Sequence, residues 1–213
     1  QRNYLLRQAR DVNPRVVQEL RFWDEELAKN GAVIVEHRIR AMNFLSTRAS
    51  SAYRNLSNNG EDLSLEYICN PSMDGITSRA AIEEKLLTTL EEQQTREVNA
   101  GLSLVGPHRD DIQFRIDGIL GGIYGSRGQA RSIALTLRLA EAEFLREEKG
   151  EEPVLLLDDV LSELDINRRR YVLDVSASYK QVIMTTTDWD RIDTDFRKSA
   201  TCLTLQGGNF RML

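Results

Sequence analysis

The order of apolar patterns along these 213 residues predicts an α/β fold. Two observations carry that expectation. In the second half, loop, helix, strand, helix and strand follow one another, with Val154-Leu155-Leu156-Leu157 and Val182-Ile183-Met184 as the strands. In the first half, long stretches repeat apolar residues at helical spacing. Composition is that of a globular chain, 41 % hydrophobic and 29 % charged. No window reaches the roughly 18 consecutive apolar residues of a membrane span, and Gln1 to Arg10 lack the apolar core of a secretion signal. Cys69 and Cys202 have no CxxC spacing and read as free thiols. His37 and His108 stand alone, so a zinc site is not expected.

Asn13-Pro14 opens a helix, because asparagine caps and proline is tolerated at the first helical position. Val16, Leu20, Trp23 and Leu27 recur at helical spacing up to Gly31, which stands where a terminating glycine belongs. A second helix is expected over 33–56, with Val35, Ile39, Met42, Ala49, Tyr53 and Leu56 on one stripe. So short a break favours an antiparallel helical hairpin. Its outer face would carry Arg38, Arg40, Arg48 and Arg54. Asn58-Asn59-Gly60 marks a loop. Leu63, Leu65 and Tyr67 alternate as in a strand, and a helix over 78–99 points Ile82, Leu86 and Leu90 inward and ends at Gly101.

Leu102–Val105 and Ile112–Ile116 read as strands flanking Gly106-Pro107-His108-Arg109-Asp110-Asp111, with a turn at Asp117-Gly118. The next helix, over 130–149, buries Ile133, Leu137, Ala140 and Phe144. Pro153 starts an apolar strand of the kind buried on both faces of a parallel sheet. Asp165 caps a helix running to about Ser178. Leu203–Leu205 and Phe210–Leu213 form a terminal hairpin across Gly207-Gly208.

Charge is distributed unevenly. Residues 1–58 hold ten Arg/Lys against six Asp/Glu, and the remainder holds eighteen against twenty-seven. The positive segment is either a polyanion-binding surface or amphipathic helices with solvated arginine faces.

Asp158 and Asp159 end the apolar strand, where ligand-binding residues of α/β sheets gather. One carboxylate there can hold Mg²⁺ against nucleotide phosphates, and a second can orient or deprotonate water. The plainer alternative is a pair of acids capping the next helix. Gly125-Ser126-Arg127-Gly128-Gln129 precedes a strong helix, so its amides and the helix terminus can face a phosphate. Alone, such a loop is also compatible with an ordinary glycine turn.

Taken in order, the glycine loop, helix, acidic strand and Ser162-Glu163-Leu164-Asp165 resemble the signature loop, Walker B strand and D-loop of ABC-type ATPase heads. Tyr124-Gly125-Ser126-Arg127-Gly128-Gln129-Ala130-Arg131, Pro153 to Asp165 and Gly106 to Asp111 together resemble the bacterial RecF family, recombination-repair ATPases related to the SMC proteins. Gln1-Arg2-Asn3-Tyr4-Leu5-Leu6 and Trp23-Asp24 resemble its helical arm, so the likeness spans essentially the whole chain. The resemblance implies a partial ABC-type P-loop ATPase head with an inserted helical arm. Residues 1–100 would be the mainly helical arm with its basic hairpin, and 101–213 the C-terminal part of the head. It implies Asp158 as the Mg²⁺ residue and Asp159 as general base, where ABC heads usually carry Glu. Aspartate is one methylene shorter, so slow turnover is expected.

Ser126 and Gly128 would contact the γ-phosphate of ATP held by the other subunit of a homodimer. Gln129 would shape that loop, and Asp165 would lie in the D-loop beside the nucleotide. The Thr185-Thr186-Thr187-Asp188 segment falls where many ABC heads place a switch histidine. No histidine is present, and Thr187 is assigned proximity alone. His108 and Arg109 read as a nucleotide or DNA contact or as a structural polar turn, and the turn is the preferred reading. The implied parent is a cytoplasmic, nucleoid-associated bacterial protein with no membrane segment. It would bind single- and double-stranded DNA at gaps and junctions, hydrolyse ATP weakly, and assist RecA loading with RecR and RecO.

None of the five lysines (Lys29, Lys85, Lys149, Lys180 and Lys198) follows a glycine, so the chain has no P-loop. It therefore reads as a C-terminal fragment, expected not to hydrolyse ATP by itself and to carry a partial sheet with an exposed edge. An ABC transporter ATPase fits the arginine-rich arm less well, and a non-catalytic interaction module is the third reading.

Overall fold

A computed structural model describes residues 1–9, 14–57, 60–121, 126–162 and 164–212. Asn13, the Asn58-Asn59 loop signal, Tyr124, Gly125, Glu163 and Leu213, all used above, lie outside the described residues. The chain packs as two compact units, Gln1–Arg54 with Glu61–Ala140, and Asn55–Gly60 with Glu141–Leu213.

The first unit holds helices α1 (Arg2–Gln8), α2 (Pro14–Leu56) to Arg54, and α3 (Arg79–Ala100). It also holds strands β1 (Leu63–Ile68), β2 (Asp111–Ile116) and β3 (Ile119–Leu120), and α4 (Arg127–Lys149) as far as Ala140. The expected helical hairpin is absent: α2 is one continuous helix of 43 residues. Gly31 sits inside it, and an added Cβ would meet Leu86 Cδ1 at 3.2 Å and Pro107 Cδ at 3.3 Å. The glycine serves the close approach of α2 to α3 and the Pro107 turn, and it leaves the helix unbroken. Ala28, Ala32 and Val35 of α2 pack there with Ile82, Leu86 and Leu90 of α3.

The sheet order β1-β2-β3 is antiparallel, Leu63 opposing Ile116 and Ile68 opposing Asp111. Leu63 and Leu65 face a second apolar cluster with Met42, Ala49 and Tyr53 of α2 and Ile133 and Ala140 of α4. Helix α3 is bounded as its sequence implies. Ser78 caps it, accepting from the Ala81 amide, and Gly101 ends it in the left-handed conformation at φ 68°.

Leu102–Val105 is not a strand. The Leu102 amide donates to Glu97 O at 3.3 Å and the other three to side chains: Ser103 N–H donates to Asn3 Oδ1 at 2.7 Å, and the Leu104 and Val105 amides donate to Glu97 Oε1 at 2.6 and 3.2 Å. With the backbone donors satisfied, no sheet partner is required. The other oxygen of Glu97 accepts from Arg2, whose Nε donates to Asp24 at 2.6 Å and Nη1 to Ser103 Oγ at 2.7 Å. Arg2, Asp24, Glu97 and Ser103 are all buried. Desolvation pushes the Asp24 carboxyl above its usual value, with the neighbouring Arg2 opposing it.

The second unit holds the rest of α4, β4 (Leu155–Asp158), α5 (Ile166–Ser176), β5 (Val182–Thr185), α6 (Thr194–Ser199) and the hairpin β6 (Leu203–Gln206) and β7 (Asn209–Met212). β4 and β5 pair in parallel, as an α/β arrangement requires, with Asp158 opposing Thr185. The strand was expected to be buried on both faces, but β4 alternates. Leu155 and Leu157 are buried, whereas Leu156 is 68 % and its β5 partner Ile183 53 % exposed. One face of this two-stranded pair is uncovered among the described residues. No described helix is long and apolar enough to cross a membrane.

Removing one partner of a buried ion cluster strands the others without compensation, at about 3–5 kcal/mol. Arg2→Met is therefore expected to lower the melting temperature by roughly 10 °C in a circular-dichroism melt. A shift of a degree or two would mean the cluster is not held as described.

Candidate functional site

The predicted site residues fall into the two units, and each group has its own geometry. In the first unit, Ser126 and Gln129 form a reciprocal cap on α4. The Ser126 amide donates to Gln129 Oε1 at 2.8 Å, and the Gln129 amide donates to Ser126 Oγ at 3.2 Å. Ser126-x-x-Gln129 is thus a capping box. Gln129 Nε2 donates to Glu61 Oε1 at 3.0 Å, and the Tyr53 hydroxyl donates to Glu61 Oε2 at 3.1 Å. Glu61 was not anticipated. Its signal is faint, the first of two acids after a glycine, and its Gln129 partner is 68 residues away in sequence.

Gly128 lies in the first turn of α4. An added Cβ there would meet nothing closer than Ser126 Oγ at 3.9 Å. Packing among the described residues does not require glycine at this position, although glycine costs a helix about 1 kcal/mol relative to alanine. The open space beside a helix N-terminus suits the close approach of an anion.

In the second unit, Asp158 and Asp159 stand exposed at the carboxyl end of β4. The Thr185 hydroxyl donates to Asp158 Oδ1 at 2.5 Å, and the Asp159 amide donates to Thr185 Oγ1 at 3.0 Å and to Thr185 O at 3.2 Å. Asp159 has φ 49°, the left-handed region, which aspartate enters more readily than most residues. The turn that follows is tied down. Ser162 Oγ donates to Asp159 O at 3.0 Å, Arg191 donates to Ser162 O at 3.2 Å, and Arg191 also pairs with Asp188 at 3.2 Å. Asp165 caps α5 by accepting the amides of Asn167 and Arg168 at 3.1 and 3.0 Å.

No group of three or more His, Cys, Asp and Glu side chains converges among the described residues. Two adjacent carboxylates do fit Mg²⁺, which takes one or two protein oxygens and completes its shell with phosphate and water. The sequence reading drew attention to Thr187. The structure instead brings Thr185 to both acids, two residues earlier and directly opposite Asp158 in the ladder.

The four arginines of α2 are all exposed but do not share one face. In a continuous helix Arg40 and Arg48 lie about 80° apart, and Arg38 and Arg54 about 160° apart. Arg38 donates to Pro107 O at 2.6 Å and pairs with Asp110 at 3.3 Å, while Arg54 pairs with Asp62 at 2.9 Å. Arg40 Nη2 lies 3.5 Å from His37 Nδ1, and the Arg48 guanidinium lies over the Phe44 ring.

Pro107–Arg109 is a 3₁₀ turn in which Arg109 donates twice to Ser103 O, at 2.8 and 2.6 Å, and the His108 ring lies 3.4 Å from the same oxygen. These contacts favour the structural reading of that segment. Its hub is Asp110, a side chain only 2 % exposed that accepts from Tyr67, Arg38 and the Asn70 amide. Burial, reinforced by Asp110, pushes the Tyr67 hydroxyl up and raises the Cys69 thiol to about 11. Clefts of about 500 Å³ beside Trp189 and about 480 Å³ beside Tyr67 include none of the predicted site residues.

No protein-family model matches the chain. Curated proteins do. The DNA replication and repair protein RecF of Chloroflexus aggregans is 42 % identical over 212 residues, 98 % of this chain and 54 % of the relative. RecF of Roseiflexus castenholzii is 39 % identical over 214 residues, 98 % of this chain and 54 % of the relative. Among solved structures, the recombination mediator protein RecF of the RecFOR pathway, solved as RecF-ATP, superposes with a TM-score of 0.80 at 34 % identity. That match covers 100 % of this chain and 54 % of the other. The chain spans about half the length of the relatives it matches. Its fold is that of part of an ABC-type ATPase head with a helical arm.

The bonds of Glu61 make a local expectation. Glu61→Ala removes the acceptor of the Gln129 amide group, so amide exchange in the first turn of α4 is expected to quicken about tenfold while the α3 amides are unchanged. Unaltered exchange at Gln129 would show that Glu61 does not hold the cap.

Proposed function

Because the chain belongs to the RecF family, we propose that it supplies the signature-loop and acidic-strand portion of an ATP-operated DNA-repair ATPase. In this reading residues 1–100 are the arm and 101–213 the C-terminal part of the head. The complete protein binds DNA at single-strand gaps and at junctions of single and double strands. It closes as a homodimer on ATP, and acts with RecR and RecO in loading RecA from a cytoplasmic, nucleoid-associated position. The observation that carries the proposal is the exposed Asp158-Asp159 pair at the end of a parallel strand, in a chain that matches RecF from end to end.

Local geometry supports a part for each residue in this reading. Ser126 Oγ accepts the Gln129 amide, which leaves its proton to donate to a phosphate oxygen, and the first turn of α4 adds favourable partial charge. Gly128 keeps that approach open. Asp158 holds Mg²⁺, which when bound neutralises charge on the phosphates. Asp159 accepts the proton of the attacking water. Asp165 keeps the turn after the acids in place by capping α5. The sequence contains no P-loop, so the 213-residue chain by itself is proposed neither to hold ATP tightly nor to hydrolyse it.

For the complete gene product, Asp159→Asn is expected to lower kcat for Mg²⁺-dependent ATP hydrolysis by about 10²-fold or more, with nucleotide binding retained. Hydrolysis at the wild-type rate would remove Asp159 from the chemistry. DNA affinity is expected to fall steeply with salt. Reversing Arg40 and Arg48 to Glu tests phosphate tracking with the Arg38–Asp110 and Arg54–Asp62 pairs left in place. The double reversal should weaken binding to all sequences alike and reduce the salt slope by about two. Unchanged affinity would put the DNA surface elsewhere.

A further inference from the structure

The geometry points to Thr185 as a positioning residue that sets the direction in which Asp158 offers its carboxylate to a divalent cation; the inference rests on the metal role proposed above for Asp158. A hydroxyl has a single proton, and here it is committed to Asp158 Oδ1 at 2.5 Å. Its oxygen in turn accepts the Asp159 amide at 3.0 Å. Thr185 therefore fixes the side chain of one acid and the backbone of the next.

Two features make the contact a built one. Asp158 and Thr185 are register partners of the parallel ladder, so their side chains project from the same face. Threonine is β-branched and stiff at χ1, so little freedom remains to be lost when the hydroxyl is aimed. With Oδ1 engaged by Thr185, Oδ2 is the oxygen left to coordinate. Outer partners of this kind orient metal-binding carboxylates, and their loss costs about 10–100-fold in metal affinity or activity. The hydroxyl also lies on the Asp159 amide, at the start of a left-handed residue whose position the general-base role needs.

The test uses the complete gene product with ADP, with Mn²⁺ as probe read by its free-ion electron paramagnetic resonance signal. Mg²⁺ dependence of ATP hydrolysis is measured alongside. Thr185→Val, isosteric and without the hydroxyl, is expected to weaken Mn²⁺ binding and raise the half-saturating Mg²⁺ concentration by about 10–100-fold. Thr185→Ser, which keeps the hydroxyl, should stay within about twofold of wild type, a rescue that loss of packing alone would not produce. Thr185→Ala is a second hydroxyl-free variant, so a folding defect peculiar to valine does not decide the matter. If Asp158→Ala loses Mn²⁺ while both hydroxyl-free variants bind it like wild type, the Thr185 inference is overturned and the metal reading stands. If Asp158→Ala binds Mn²⁺ as tightly as wild type, the metal reading fails and takes the inference with it.

Discussion

The Glu97 carboxylate, sealed from water, is the constraint on which the first unit depends. One oxygen takes Arg2, which α1 delivers, and Arg2 also reaches Asp24 on α2. The other oxygen takes the amides of Leu104 and Val105. Three helices and an irregular segment thus converge on one group that would be costly to bury unpaired. That segment leads into the Pro107 turn and the Asp110 hub, where α2, β1 and the Asn70 loop meet. A polar network of this kind fixes geometry more than it adds net stability, because burying its charges consumes most of what their attraction returns.

Much of this was legible in the sequence. The α3 boundaries followed from Ser78 and Gly101, the parallel pairing of β4 and β5 from two short apolar runs separated by a helix, and the terminal hairpin from Gly207-Gly208. What misled was local chemistry overruled by distant packing. Gly31 has the look of a stop, but nothing near it in sequence reveals that Leu86 and Pro107 press against its missing side chain. Leu102–Val105 has the composition of a strand, yet the amide partners of Ser103, Leu104 and Val105 are carboxylate and carboxamide oxygens seven to a hundred residues away.

The candidate site divides the same way. Residue types and their order placed Ser126, Gln129, Asp158 and Asp159, because a cap and a strand end are local features. Glu61 and Thr185 had no such mark. One of two adjacent acids and one threonine in a run of three gain significance only when tertiary structure sets them beside Gln129 and Asp158. The four arginines show the converse. Their charge was evident, but its spread around the helix and the pairing of Arg38 with Asp110 and of Arg54 with Asp62 come from the structure.

The backbone of Asp159 carries a meaning of its own. At φ 49° a side chain with a longer, unassisted stem is disfavoured by about 1–2 kcal/mol, and only glycine, asparagine and aspartate visit the region routinely. Under the general-base role proposed for Asp159, the resemblance to ABC heads, which usually carry glutamate there, presents the aspartate as a chemical compromise that trades reach for a slower reaction. The conformation supplies another cause: the bend after β4 selects the shorter acid before catalysis is considered. Asparagine tolerates the same bend, so an amide at this position removes the charge and leaves the path of the chain intact.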